Sequence, residues 1–261
     1  MPVWLPAARP AEFTEAVNFY VDLVREHAQT VREALPFRVH ERLATLLQLP
    51  AGRPGEPPHG IFAVLVHGLA GGFESKYLLG TARQLIALGW RTLILQLRGA
   101  GPEPNRLNRS YNQDDTEDLR YVWRLLRERE PQAFIAAVGW SLGGNVMLKA
   151  LAEEGEAAPI DIAAAASVPF KIRPCVERLR RGFSRVYQKH LLGFLKAALR
   201  RKHRRFPLLS AVNLPGALAA QYFLVYDVAY TAPLAGYRDV EDYYTHASCG
   251  QFLKGIHRAT L

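Results

Sequence analysis

Ala133-Phe134-Ile135-Ala136-Ala137-Val138-Gly139-Trp140-Ser141-Leu142-Gly143 decides how this 261-residue chain is read. Its first six residues are a short apolar run of strand type, and Asn145 to Leu151 behind it reads as helix. A Gly-x-Ser-x-Gly between strand and helix forms a sharp turn in which the serine backbone is strained. Gly139 and Gly143 flank the serine because a side chain at either place would strike the neighbouring strand or helix. The turn lifts the hydroxyl clear of the sheet and leaves the Leu142 N–H free to bind a developing oxyanion. With glycine near 7% of residues, three fixed positions match by accident in roughly one chain of this length in ten. The strand before the serine and the helix after it therefore carry much of the argument.

The rest of the chain supplies matching elements. Ile61 to Val66 is a continuous apolar run between turn residues, as buried parallel strands are. Ser75 to Leu88 reads as a helix closed by Gly89, and Trp90 to Leu97 as the next strand. Arg98 to Tyr111, with two glycines and two prolines, is a loop. Asp114 to Glu130 reads as helix, its first-turn acids Asp114, Asp115, Glu117 and Asp118 suiting the positive end. Ile160 to Ser167 is a further strand. Alternation of this kind specifies an α/β fold, a doubly wound and mostly parallel sheet with helices on both faces. Before it, Phe13 to Leu35 has the three- and four-residue spacing of an amphipathic helix, and Ala51 to Gly60 is a Pro- and Gly-rich loop.

After Phe170 the rhythm changes. Phe183, Val186, Tyr187, Leu191, Phe194, Leu195, Ala198 and Leu199 form a helical stripe, and no strong strand follows. The expected organisation is an N-terminal helical segment over 1–50, an α/β core over 51–169, a helical insertion lying over the strand ends over 170–250, and a return to the core over 251–261. Leu214 to Tyr237 is the longest apolar candidate, but Gln221, Asp227, Pro215 and Pro233 make it buried and not membrane-spanning.

Charge is concentrated. Residues 171–205 hold 13 Lys/Arg and one acid, Glu177, a net +12, while the remainder of the chain sums to −3. A solvated helix face accounts for this without any function. The same cations beside an apolar stripe would also suit an anionic membrane surface. No nucleic-acid motif accompanies the charge, so no nucleic acid is expected as partner. Cys175 and Cys249 lie far apart with no metal-binding spacing, so neither a disulfide framework, a metal nor a cofactor is expected. Met1 to Pro6 shows no basic segment followed by an apolar one, and the expected setting is cytoplasmic, with peripheral membrane attachment through 171–205 as an option.

Four motifs in order carry a family resemblance: His67-Gly68-Leu69-Ala70-Gly71-Gly72; Arg98-Gly99 with Glu103-Pro104-Asn105-Arg106; Gly139-Trp140-Ser141-Leu142-Gly143-Gly144-Asn145; and Gly182-Phe183-Ser184-Arg185-Val186-Tyr187-Gln188. Together they resemble the YheT-type branch of the α/β-hydrolases, AB hydrolase family 4, from about Gly60 to Ser248 and including Tyr243-Tyr244. The resemblance implies a carboxylic-ester hydrolase acting on acylglycerols, phospholipids or short-chain esters. It makes Ser141 the nucleophile, the N–H groups of Leu69 and Leu142 the oxyanion donors, and the helical insertion a lid. His67, Arg98 and Trp140 are candidates for substrate or lid contacts; the resemblance also implies that His67 shapes the loop and is no base, and Arg98, Glu103, Asn105 and Arg106 read equally well as structural bracing.

Two departures qualify it. Family members carry the catalytic aspartate and the general base on strands after the Tyr-Tyr segment, and this sequence reads Ile256 to Leu261 where the first of those begins. Leu49 to Gly60 also differs from the family's acidic strand pair. The expectation is impaired activity and an exposed, aggregation-prone sheet edge. Asp227, Asp239 and Asp242, followed by His246 and His257, satisfy the order serine, acid, histidine. Their bland readings are a helix cap or an arginine partner for Asp227 and a solvated helix start for the others. The opposing functional class is a non-catalytic α/β-hydrolase scaffold, or a truncated product, that binds lipid or a partner through the basic segment.

Overall fold

The computed structural model describes residues 60–206 and 211–261. The expected N-terminal helix and most of the loop before Gly60 lie outside the described residues.

Among the described residues five parallel strands, β1 (Ile61–Val66), β2 (Arg91–Leu95), β3 (Phe134–Trp140), β4 (Ile162–Ala166) and the two-residue β5 (Ala259–Thr260), stand in the order β2-β1-β3-β4-β5. Register places Val66 beside Leu95 on one side and Gly139 on the other, so the central strands end level with one another. Period-2 geometry sends alternate residues of β1 to opposite faces. Val64 and Val66 join Leu93, Trp123, Ile135 and Met147 in one apolar cluster, while Ala63 and Leu65 pack with Leu78, Ala82 and Ile94 on the other. Both faces are therefore covered, which is why β1 has no alternating polar residue. Helix α1 (Lys76–Ala87) supplies the second cluster; α2 (Glu117–Arg129) and α3 (Leu142–Glu154) supply the first.

The strand and helix assignments read from sequence agree within a few residues, with one instructive shift. Helix α2 starts at Glu117, after Asp114 and Asp115. Asp115 is drawn instead into a pair with Arg109, and Asp114 lies 3.0 Å from Lys149.

Beyond β4 come α4 (Ile172–Leu179), α5 (Ser184–Arg205), α6 (Leu214–Ala219), α7 (Phe223–Tyr226), a π-helical turn (Asp227–Thr231), α8 (Ala232–Ala235) and α9 (Val240–Ala247). Their apolar cluster includes Leu191, Leu192, Leu199, Phe223, Tyr226, Tyr230 and Tyr243, and Leu69 and Ala70 of the loop after β1 pack against it. The helical layer thus lies over the C-terminal ends of the strands. Among the described residues no helix is long and apolar enough to cross a membrane.

The expected stripe on α5 needs correction. Leu191 and Leu199 face the core, but Phe183, Val186, Tyr187 and Phe194 are exposed, Phe183 at 86%. Their places on the inner face are taken by Gln188, Leu192 and Lys202. A helical period shows which residues share a face; it does not show which face is covered.

Candidate active site

Ser141 stands between β3 and α3 with φ +51° and ψ −118°, a conformation L-residues avoid. Such strain costs on the order of 1–3 kcal/mol and persists only where the surroundings over-determine it. Here they do. A Cβ on Gly139 would come 2.7 Å from the Gly143 carbonyl oxygen, and one on Gly143 would come 2.4 Å from the His67 carbonyl oxygen. The Ser141 N–H donates to the Ala166 carbonyl at 2.8 Å, and the Ser141 carbonyl accepts from the Asn145 N–H at 3.0 Å. Ser141 is half-buried, at the level where the central strands end.

The loop after β1 lies directly against it. A Cβ on Gly68 would come 3.3 Å from the Ser141 Cβ. Backbone donors in this loop can be accounted for one by one. The Gly68 N–H donates to the Tyr77 hydroxyl (2.9 Å), Ala70 to the Tyr111 hydroxyl (3.0 Å), and Gly71 to the Gly68 carbonyl (3.0 Å). Gly72 donates to Ser75 Oγ and Phe73 to Gln96 Oε1, both at 3.0 Å. The Leu69 N–H alone in this run finds no acceptor among the described residues. The Leu142 N–H also lacks one, as the first residue of a helix must without a cap.

His67 is turned inward and held on both sides. Its Nε2 accepts from the Leu97 N–H at 3.0 Å, which leaves the proton on Nδ1 to bond the Gly68 carbonyl at 2.8 Å. The ring is fully buried, edge-on to Tyr111, and burial holds its pKa down to about 4. Both nitrogens are occupied, so the imidazole braces the loop. Arg98 takes the structural one of its two readings. It forms a buried two-pronged pair with Asp118 in the first turn of α2 and faces away from solvent. Trp140 is half-buried against Tyr77, ring centroids 5.4 Å apart, and so backs the side chain that pins Gly68. In the loop after β2, Asn105 and Glu103 hold α5: Lys202 Nζ donates to Asn105 Oδ1 at 2.7 Å, and Arg205 pairs with Glu103.

The histidines and acids weighed from sequence do not meet the serine. His257 lies 3.8 Å from Glu156, beyond the far end of α3. Thirteen residues at about 1.5 Å each separate the helix ends by about 20 Å. His246 is exposed on α9, its Nδ1 bonding the Asp242 carbonyl. Asp239 caps α9 by accepting from the Asp242 N–H, and Asp242 pairs with Arg238. Asp227 closes α7 at its C-terminal end, but its carboxylate meets no arginine among the described residues: it sits in the π-helical turn and accepts from Thr231 (2.6 Å) and Tyr244 (2.7 Å). Burial raises its pKa to about 6. Among the described residues no side chain hydrogen-bonds to Ser141 Oγ.

Asn145 has a role that sequence reading missed. Fully buried in the first turn of α3, it donates to the Gln113 and Ala247 carbonyls, each at 2.8 Å, and accepts from the Cys249 N–H at 3.0 Å. One side chain thus joins the serine helix, the loop before α2 and the segment leaving α9. Tyr77, Tyr111 and Gln96 were missed too. Asn145 stands in the quoted Gly-Gly-Asn run, but the other three carry no local pattern.

A cavity of about 100 Å³ adjoins Ala70, between the loop after β2 and α5, and is lined by Tyr111, Phe194, Leu199, Tyr226 and Tyr230. Among the described residues no group of His, Cys, Asp and Glu is placed to hold a metal ion.

Known proteins resemble this chain in sequence. "Putative esterase YheT" of Escherichia coli is 36% identical over 224 residues, covering 82% of this chain and 66% of that protein. Phospholipase ABHD3 of Mus musculus is 30% identical, covering 74% of this chain and 47% of its own. Embryogenesis-associated protein EMB8 of Picea glauca is 27% identical, covering 78% and 46%. The chain therefore spans between about half and two thirds of the curated relatives it matches. The family described as alpha/beta hydrolase fold matches residues 64–202, more than half of the sequence. With the parallel sheet, the strained serine turn and this match together, the chain belongs to the alpha/beta hydrolase fold family, among relatives of esterase and phospholipase type.

Proposed function

We propose that this protein cleaves carboxylic esters through an acyl-enzyme on Ser141, with acylglycerols, phospholipids or short-chain esters as the substrate class. Ser141 Oγ bonds to the ester carbonyl carbon, the C–O bond to the alcohol breaks, and the hydroxyl proton passes through water to the departing alkoxide. The carbonyl oxygen, negative in the tetrahedral intermediate, lies between the Leu69 and Leu142 N–H groups. The observation that carries this reading is the donor account of the loop facing Ser141, in which the Leu69 N–H finds no partner among the described residues. The helices over the strand ends serve as a lid. The enzyme works in the cytoplasm and meets anionic membrane through residues 171–205.

An unassisted serine hydroxyl is a weak nucleophile, and the described residues bring no base to it. Turnover by these residues alone falls toward what an oxyanion hole and substrate binding sustain, on the order of 10³-fold over water. The same observation favours a second reading, a non-catalytic scaffold that keeps the fold and binds lipid or a partner. Fluorophosphonate labelling followed by mass spectrometry separates the two. The ester-hydrolase reading expects adduct on Ser141 and none in Ser141→Ala. A protein that is folded by circular dichroism yet stays unlabelled belongs to the scaffold class.

A further inference from the structure

Helix α5 has three faces, set by a period of 3.6 residues. Gln188, Leu191, Leu192, Leu199 and Lys202 turn inward. Arg185, Lys189, Lys196 and Arg200, at steps of four, seven and four, form a second strip along the helix. Phe183, Val186, Tyr187 and Phe194 form a third, exposed by 52–86%. Residues 178–205 hold 11 Lys/Arg and no acid, and the next acid along the chain is Asp227.

The cationic strip forms one wall of a groove of about 780 Å³, in which Arg185, Lys189 and Lys196 face Ala220, Gln221 and Tyr222. The second wall is fixed in place: Gln188 accepts from the Phe223 N–H at 3.0 Å and donates to the Leu179 carbonyl at 3.3 Å. Arg180 lies over the Tyr222 ring, 5.0 Å from its centroid. Crowding shows in Lys196, whose pKa is lowered first by partial burial and then by Arg200. Like charges held together on a rigid wall destabilise the free protein and favour an anionic occupant.

We infer that this groove and the apolar strip beside it form a docking surface for bilayers of anionic phospholipid, with the phosphate headgroups between Arg185, Lys189, Lys196 and Tyr222 and the side chains of Phe183, Val186 and Tyr187 in the interface. Charge complementarity selects an anion. The adjoining phenyl and isopropyl groups select a lipid over a soluble anion, because neither gains from a hydrated partner. Each Lys or Arg near an anionic leaflet contributes about 1 kcal/mol, and the attraction decays within a Debye length. The helices bearing this surface also bear the cluster against which Leu69 and Ala70 pack. Docking therefore brings the candidate oxyanion loop near lipid esters. This deepens the proposed membrane contact and rests on the ester-hydrolase reading only for that consequence; the binding stands without it.

The test is co-sedimentation of the full chain with sucrose-loaded vesicles of phosphatidylcholine alone or with 30% phosphatidylglycerol. Binding at least tenfold tighter to the anionic vesicles is expected, weakened severalfold by 0.5 M NaCl. A charge-reversed variant (Arg185→Glu, Lys189→Glu) is expected to lose it, and a Phe183→Ser, Tyr187→Ser variant to weaken it at low salt. All four residues altered here are exposed, so circular dichroism melts serve as the folding control. Equal binding to both vesicle types, or full binding by the charge-reversed protein, overturns the inference. So does full competition by 10 mM inorganic phosphate, which marks a free-anion site, or by short RNA at low micromolar concentration, which marks a nucleic-acid surface. Fluorophosphonate labelling in the same samples reports the serine independently, so loss of one result leaves the other standing.

Discussion

At the scale of single residues, buried polar side chains decide how the site is held. Asn145 makes three hydrogen bonds inside the protein, and removing its amide strands two carbonyls and one N–H. Unsatisfied buried groups cost about 1–3 kcal/mol each, partly relieved by water. Asn145→Ala is therefore expected to lower the unfolding free energy by about 2–4 kcal/mol in urea titrations. A loss below about 0.5 kcal/mol would contradict the role given to it. His67 makes a pH prediction. Folding holds its pKa at about 4 against 6.5 for an unperturbed imidazole. The unfolded chain takes up the proton first, so stability present above pH 6.5 is lost as pH falls toward 4. At 1.36 kcal/mol per unit this is about 3 kcal/mol. Urea midpoints should drop across this window in the native protein, with a flatter profile in His67→Gln.

At the scale of elements, packing contacts are tight where glycine sits and polar where α5 meets the core. Gly143→Ala would put a methyl 2.4–2.5 Å from two backbone carbonyl oxygens at the end of β1. Overpacking against backbone costs about 1–3 kcal/mol or more, and loss of Ser141 labelling together with a lowered melting temperature is expected. Lys202 reaches from α5 to Asn105 and to the carbonyls of Leu107 and Arg109. Lys202→Met keeps the apolar stem and removes these bonds. Limited trypsin digestion should then cut sooner between residues 178 and 205, while the sheet fragment stays resistant. Unchanged digestion would show that α5 is held by its apolar face alone.

At the scale of the whole molecule, what could be read from the sequence was what is local. Ile61 to Val66 and the serine turn were legible because a buried parallel strand and a strained Gly-x-Ser-x-Gly write their demands into adjacent residues. The outward apolar strip of α5 was not, since its period is the same whether a neighbour covers it or not. The bracing readings of His67 and Arg98 were open from the sequence, but their partners Leu97 and Asp118, 20 or more residues away, were not. The turn at Ser141 was legible and Leu69 entered as an oxyanion donor only through the resemblance, while Tyr77, Tyr111, Gln96 and Asn145 were illegible because they act through loops brought together only by the finished fold.

Asn145 clasps partners 32, 102 and 104 residues distant in sequence. Loops of that span close slowly, because their entropy is spent before the contact rewards it. During refolding from urea the β-sheet signal should accordingly return ahead of this clasp, and the serine should stay silent toward probes until the slowest phase has run. A protein that has regained its far-ultraviolet spectrum would, for a measurable interval, be a folded body whose working corner is still unmade.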